Sequence, residues 1–339
     1  MAKKFKILKI SKAGVGVVGP GAVAKEAAEF AKVNAELVEV FYTNNNDVIA
    51  AAKDADVILL GSVPIERWIV EAAPKCIAVM CQSVGYDSID VKACTENNIL
   101  VVNSPSFEWC NEEVSNHAIG LLLACAKKFK MLDSLVSQGR WAEAKKAQPW
   151  MGSIYGQTLG IVGCGAIGRM VARKAKAFGL NVIGYDPYLP QVYVAKENGI
   201  TLTSLEEVLK ADYVTLHPDL NETSFHMINE KAFAQMKPSA YLINTSRGKV
   251  VDELALVKAL QEKRIAGAGL DVFEVEPLPK DSPLTRMDNV ILLSHSASYS
   301  THAFDIAPIK IAQEVARVLT GKLPLNAVNK SVTPRVKLV

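Results

Sequence analysis

Three residues late in the chain have types that could together carry a redox reaction on a small acid. They are Arg247 in NTSRGKVVDE, Glu276 in LDVFEVEPLP and His295 in SHSAS. Moving a hydride to or from a 2-oxo acid needs a cation to hold the carboxylate and carbonyl, and an acid to protonate the carbonyl oxygen. It also needs a group that keeps that acid protonated near neutral pH. A guanidinium presents a planar fork of donors and stays charged, which suits Arg247 to the first task. Imidazole titrates near neutrality, which suits His295 to the second. A carboxylate beside an imidazole favours its charged form and orients the ring, which suits Glu276 to the third. Each residue also has an ordinary reading: a surface ion pair, a solvated acid beside Pro277, a turn-closing histidine. What argues for chemistry is that all three fall at or soon after predicted strand ends in one region.

Those strands belong to a longer pattern. Short apolar runs alternate with Ala-rich helical stretches along almost the whole chain. FKILKI, LVEVFY, DVILL, IAVM and ILVVN read as strands of a first unit. TLGIVGCG, NVIGYD, YVTLH, YLINTS, AGAGLDV and VILLS read as strands of a second. The alternation predicts parallel sheets with crossover helices. Between the units, NEEVSNHAIGLLLACAKKFKMLDSLVSQG predicts one long helix. The last segment, AFDIAPIKIAQEVARVLTG, predicts a helix that can fold back on the first unit and make it discontinuous.

The spacing GxGxxG occurs at Gly14, Gly16, Gly19 and again at Gly163, Gly165, Gly168. The pattern is weak alone, so context decides. The second copy follows a strand directly and runs into a helix, whose N-terminal N–H groups and dipole favour a pyrophosphate. The next strand ends at Asp186, where a carboxylate can take the ribose hydroxyls and repel a 2′-phosphate; no Arg adjoins it. NAD is therefore expected in preference to NADP. The first copy is separated from its strand by Ser11, Lys12 and Ala13, and Pro20 follows it at once, so it reads as a Gly-rich turn. Cys164, between the loop glycines, reads as a small apolar spacer, with a redox switch as the alternative. Among the other histidines, His217 after YVTL can face the cofactor. His117 reads as a packing or interface residue, and His226 and His302 as helix or surface positions.

The chain has 339 residues, is 50% hydrophobic and 22% charged, and carries a net charge of +3. The length suggests two domains, the composition a compact soluble protein, and the small net charge gives no support for a nucleic-acid surface. MAKKFKILKISKAG lacks the apolar core of a signal peptide, and AIGLLLACA is too short to span a bilayer, so no membrane role and a cytoplasmic location are expected. The six cysteines show no zinc spacing, so no metal is expected.

At these motifs the chain resembles the D-isomer-specific 2-hydroxyacid dehydrogenases. HPDLNETSFHMIN, INTSRGKVVDE, GAGLDVFEVEP and SHSASYS look most like the branch that holds C-terminal-binding proteins and related bacterial dehydrogenases. The resemblance implies a Rossmann NAD-binding domain over residues 109–302. It also implies a discontinuous, flavodoxin-like substrate domain over 1–108 and 303–339, both doubly wound parallel sheets. It implies that Arg247, Glu276 and His295 are catalytic, and that the activity interconverts a D-2-hydroxy acid and a 2-oxo acid of glyoxylate, hydroxypyruvate or larger type. Cofactor contacts are implied at Gly163, Cys164, Gly165, Ala166, Ile167, Gly168, Asp186, His217, Pro218, Thr223, Thr245, Ser246, Asp271 and Ser296. Backbone N–H groups of Val84 and Gly85 are implied to meet the substrate carboxylate, with Arg247 and His295. A homodimer through residues 112–150, including Trp141, is also implied. Within the fold, formate dehydrogenases would place Gln at position 276, whereas phosphite dehydrogenases share the trio. An NAD(H)-sensing binding protein is the rival from another class. The chain departs from the pattern at Cys81 and Gln82, where many relatives carry Arg, at Ser298, where C-terminal-binding proteins carry Trp, and in a longer segment around Phe107 and Trp109.

Overall fold

The computed structural model describes residues 4–13, 21–103, 108–147, 151–193 and 199–339. The Gly14–Gly19 pattern, Phe107 and the Trp109 side chain lie outside what is described. The chain divides into two compact units, Met1–Trp109 with Tyr299–Val339, and Cys110–Ser298.

The first unit is a five-stranded sheet in the order β2-β1-β3-β4-β5. Its strands are β1 (Phe5–Ser11), β2 (Ala35–Phe41), β3 (Val57–Leu60), β4 (Ala78–Met80) and β5 (Leu100–Val102), and every pairing is parallel. The helices α1 (Ala22–Ala31), α2 (Asn45–Ala52), α3 (Arg67–Glu71) and α4 (Val91–Glu96) cross between them. All four residues of β3 are buried, as expected of a parallel strand covered on both faces. Asn44 and Asp90 start α2 and α4 by accepting from the N–H groups of Asp47 and Ala93. The strand order has its switch point between β1 and β3, the flavodoxin-like arrangement.

The second unit opens with α5 (Glu108–Ala126), α6 (Phe129–Ser137) and α7 (Trp141–Ala147). A seven-stranded sheet follows: β6 (Thr158–Val162), β7 (Asn181–Tyr185), β8 (Thr201–Leu202), β9 (Tyr213–Leu216), β10 (Tyr241–Asn244), β11 (Gly267–Leu270) and β12 (Val290–Leu292). The order is β12-β11-β10-β9-β6-β7-β8, all parallel. Counted from β6 this is the Rossmann order, extended by one strand, with the switch point between β6 and β9. The helices α8 (Ala166–Ala177), α9 (Leu205–Leu209), α10 (Glu230–Gln235) and α11 (Glu253–Gln261) connect the strands. Side chains alternate between two cores. Leu242 of β10 lies in the same core as Phe233 and Leu256, and Ile243 in the other with Leu121, Leu122 and Val171.

The expected single long helix is broken. Lys128 adopts φ 54, in the left-handed region, and closes α5 before α6 begins. The two pieces serve different surroundings. Ala118, Ile119, Leu121, Leu122 and Cys125 of α5 are buried in the sheet's core, whereas α6 has no buried residue. The short edge strand β8 was not anticipated, because two residues carry no readable alternation.

The last helix, α12 (Thr301–Leu319), is capped by Ser300 and belongs to the first unit, where it packs on α1. Beyond it the chain returns to β5, with Val102 bridged to Ala327 and the Val328 N–H donating to Val101 O at 2.9 Å. Among the described residues no helix is long and apolar enough to cross a membrane, and no group of three or more His, Cys, Asp or Glu could hold a metal ion.

Candidate active site

The loops after β6, β7, β9, β10, β11 and β12 all leave the carboxyl edge of one parallel sheet, where open α/β sheets bind ligands. Their residues show what the site can hold.

Gly163 sits at φ 85, and a Cβ there would come within 2.6 Å of Pro218 N and 2.7 Å of His217 C. The loop after β9 therefore presses on the glycine loop, which places His217 and Pro218 beside it. Gly165 caps α8 with nothing within 4 Å of a built Cβ, leaving room for a ligand to reach the N–H groups of Ala166 and Ile167. A Cβ at Gly168 would come within 2.2 Å of Gly163 O, so only glycine there seats α8 so closely on β6. A tight turn, an open approach and a close helix seat are what a pyrophosphate loop requires.

Asp186 stands at the end of β7, joined to this loop. It accepts from Cys164 N–H at 2.9 Å, Tyr188 N–H at 2.9 Å and Leu189 N–H at 3.2 Å. Tyr188 in turn shares a 2.8 Å hydrogen bond with Thr223, held by Asn221 at 2.7 Å. Cys164 is buried against Gly184, and burial, with Asp186 adding to it, pushes its thiol up to about 12. That supports the spacer and argues against a redox switch. His217 bonds Thr215 through Nε2 at 2.9 Å, and burial pushes its imidazole down to about 3.

The candidate trio occupies three successive loops. His295 follows β12, and its Nδ1 lies 2.7 Å from Glu276 Oε2. The other oxygen of Glu276 accepts the Phe273 N–H at 3.0 Å. Burial raises the Glu276 carboxyl, but His295, the Phe273 N–H and the Arg247 charge outweigh it and hold it below the ordinary range. The ionised carboxylate only accepts, so Nδ1 carries a proton and Nε2 is left to exchange one. His295 adopts φ 54, a left-handed conformation costing on the order of 1–2 kcal/mol in a residue with a Cβ. Its N–H bond to Asp271 O at 2.7 Å and the Glu276 contact hold it there.

Arg247 follows β10, and its Nη1 donates to Ser246 O at 2.9 Å. Asn244, buried at the end of β10, accepts from Ser246 N–H and Oγ and donates to Arg247 O at 2.9 Å, so it shapes the turn that presents the guanidinium. Gly248 then lies so close to the next loop that a Cβ would come within 1.9 Å of Phe273 C. The Arg247 turn and the Glu276 segment are thus in backbone contact. Thr245 Oγ1, just after β10, is buried and has no hydrogen-bond partner among the described residues, an orphan that suits a bound amide.

Asp271 is fully buried and accepts from Ser296 N–H at 2.9 Å, Ser296 Oγ at 3.3 Å and Ala297 N–H at 2.8 Å. His117 of α5 faces it at 3.5 Å. Burial raises the Asp271 carboxyl, but His117 and the two N–H groups prevail and lower it. Asp271 and Ser296 therefore use these bonds to fix the loop that carries His295, and His117 packs beside Asp271 within charge reach. His226, expected on a helix or surface, instead lies in a turn at φ 48, partly buried. His302 is exposed in the first turn of α12.

In the first unit, Val84 and Gly85 sit in the loop after β4. Asn103 Nδ2 donates to Val84 O at 2.6 Å, and Ser83 Oγ and Cys81 Sγ donate to Gly85 O at 2.7 and 3.0 Å. In a trans peptide the carbonyl and the next N–H point oppositely, so anchoring Val84 O aims the Gly85 N–H away from Asn103. Gln82, one of the two positions where the chain departs from the family pattern, donates to Glu26 at 2.7 Å, and Glu26 pairs with Lys9 at 2.9 Å; all three are buried. Pattern reading missed this network, because Lys9 and Glu26 occupy positions where strand and helix periodicity predicts apolar residues.

A Rossmann-ordered sheet, a glycine loop at its switch point and an imidazole–carboxylate pair on its later loops define a nicotinamide-dependent oxidoreductase. A family model described as "D-isomer specific 2-hydroxyacid dehydrogenase, NAD binding domain" matches residues 119–297. A glyoxylate reductase of Korarchaeum cryptofilum is 43% identical over 288 residues, 84% of this chain and 86% of that protein. A D-3-phosphoglycerate dehydrogenase of Methanocaldococcus jannaschii is 39% identical over 295 residues, but the match spans only 55% of its length. An NADPH-dependent glyoxylate/hydroxypyruvate reductase from Sinorhizobium meliloti, solved with NADP and malonate, superposes with a TM-score of 0.84 at 28% identity, covering 99% of this chain and 100% of that one. The chain belongs to the D-isomer-specific 2-hydroxyacid dehydrogenase family.

Proposed function

We propose that this protein is an NAD-dependent dehydrogenase that interconverts D-2-hydroxy acids and 2-oxo acids of the glyoxylate and hydroxypyruvate type. The observation that carries the reading is the 2.7 Å pairing of His295 with Glu276, on a segment in backbone contact with the Arg247 turn. The first unit takes the substrate role, with Val84 and Gly85 offering N–H groups to its carboxylate. The glycine loop, Asp186, His217, Pro218, Thr223 and Thr245 hold the dinucleotide, which supplies or accepts the hydride when bound. Arg247 orients the carboxylate and carbonyl by paired hydrogen bonds. His295 delivers a proton from Nε2 to the carbonyl oxygen during reduction and takes it back during oxidation. Glu276 fixes the ring and balances the imidazolium charge. The anchored Asp186 carboxylate favours NAD, although the S. meliloti structure holds NADP. The working form is a homodimer through residues 112–150, supported by the exposed apolar side chains Phe129, Val136 and Trp141.

The test is steady-state reduction of glyoxylate, hydroxypyruvate, pyruvate and bulkier 2-oxo acids, alongside phosphite oxidation. His295→Ala and Arg247→Ala are expected to lose roughly a thousandfold or more in kcat/KM, in line with removal of an acid or an oxyanion clamp, while NADH still binds. Near-wild-type turnover in either variant would sink the assignment. Equal efficiency with NADPH would sink the cofactor preference. Tight NADH binding with no turnover of any acid would favour a binding protein.

A further inference from the structure

Beside the trio in sequence and contact lies a second cluster of titratable side chains, His226, Glu274 and Glu253. Glu274 is two residues before Glu276. Its N–H donates to Glu253 Oε2 at 3.1 Å, and Glu253 N–H donates back to Glu274 Oε1 at 2.8 Å. This reciprocal pair ties the Glu276 segment to the first residue of α11. The helix start has its own cap, since Asp252 accepts from Ala255 N–H at 3.0 Å, so the pair is an additional tie between two elements. His226 completes it. Its Nε2 stands 2.9 Å from Glu274 Oε1, a charge contact that is not aligned as a hydrogen bond, and its backbone N–H donates to Lys249 O at 2.9 Å in the turn that begins at Arg247. Ile228 N–H to Val250 O at 3.1 Å and Asp252 N–H to Ile228 O at 3.0 Å extend that seam. The His226 ring is stacked on Phe225, with centroids 4.0 Å apart and planes 17° apart, and the residue is held at φ 48. Two carboxylates facing each other repel, and burial together with the Glu274 charge raises the Glu253 carboxyl against the pull of the Glu274 N–H. An arrangement that carries such a cost acts as a clamp only if its other contacts are strong, and here each carboxylate is anchored on the other's backbone.

We propose that His226, Glu274 and Glu253 brace the Arg247 turn against the Glu276 segment and are positioning residues for hydride transfer. The proposal rests on the roles given above to Arg247, Glu276 and His295. The brace acts through Glu276, which is faced by His295, the Phe273 N–H and Arg247. When the segments drift apart, Glu276 keeps its local Phe273 N–H but loses the Arg247 charge. Its carboxyl then titrates higher, and the acid limb of activity moves up with it.

The experiment uses the full chain as His226→Leu, His226→Gln and Glu274→Gln variants. It measures NADH affinity by fluorescence, kcat and KM across pH with the best 2-oxo acid, and hydrogen exchange of peptides over 246–252 and 272–278. His226→Leu is expected to lower kcat by roughly tenfold to a hundredfold, the scale of a small misplacement, and to shift the acid limb upward while NADH affinity holds. His226→Gln, whose Nε2 can replace the ring nitrogen, is expected to recover most of the loss. Exchange of both segments should rise together in His226→Leu, and exchange at 163–168 should not. A uniform fall at every pH, or no recovery with Gln, overturns the brace. If His226→Leu fails to fold, Glu274→Gln gives the same test by the same criteria. Should the wild type reduce no 2-oxo acid, the functional reading fails, and exchange alone judges the brace: coupled opening upholds it and unchanged exchange overturns it.

Discussion

At the scale of residues, the histidines divide by environment. Burial pushes the His217 imidazole down to about 3, which favours its neutral form and disfavours it as an acid near neutrality. The linkage has a definite sign. Between the ordinary value of 6.5 and the folded value of about 3 the unfolded chain binds a proton that the native state does not, so stability falls as pH drops through that window. His217→Asn should therefore show a shallower loss of unfolding free energy from pH 6.5 downward in urea titrations; an unchanged slope would refute the neutral ring. Asp271 and Glu276, both held low, add stability that is present above their ordinary values of 3.8 and 4.5 and is lost as pH falls below them. The thiols give a second test. All six cysteines are buried, and burial pushes Cys76, Cys94, Cys125 and Cys164 up to about 12 and Cys110 to about 11. Ellman's reagent should leave the native protein unlabelled at pH 8 and titrate six thiols in denaturant; rapid native labelling would contradict this environment. Arg247, Glu276, His295 and the glycine loop could be picked out as candidates in the sequence because hydride chemistry and phosphate binding would restrict residue type at each position. Asn244, His117, His226 and Lys9 were not, because each acts through a partner that only the fold brings near. His117 and Asp271, for example, lie on α5 and after β11.

At the scale of elements, the strands and crossover helices were readable from continuous apolar runs, whereas the break at Lys128 was not, since it depends on which core each half meets. The same limit hid the link between β1, α1 and the loop after β4. Lys9, Glu26 and Gln82 join these three elements inside the first unit. Burial raises the Glu26 carboxyl even against Lys9, which marks a pair whose desolvation is costly. Removing one partner leaves the other charge buried alone. Glu26→Ala is therefore expected to destabilise the protein by about 3–5 kcal/mol in urea unfolding. Replacing both charges, as Lys9→Met with Glu26→Leu, should recover much of that. If the single variant costs no more than a surface substitution, the network does not hold the loop carrying Val84 and Gly85.

At the scale of the whole molecule, the helix break turns an internal element into an external one. α5 fills the core of the second unit, but past Lys128 the chain leaves it, and α6 and α7 present Phe129, Val136 and Trp141 at 57%, 43% and 62% exposure. Covering a large apolar side chain is worth about 1.5–3 kcal/mol, so a self-complementary contact of these groups from two copies has a substantial driving force. The proposed homodimer predicts a mass near twice 36.7 kDa by light scattering at micromolar concentration. Charged groups placed in the patch, as Phe129→Asp with Trp141→Asp, should give the 36.7 kDa species with its fold retained by circular dichroism, because neither side chain enters a core. A wild type that is monomeric under these conditions, or a double variant that stays dimeric, would place the assembly surface elsewhere and leave the apolar face of α6 and α7 to another partner.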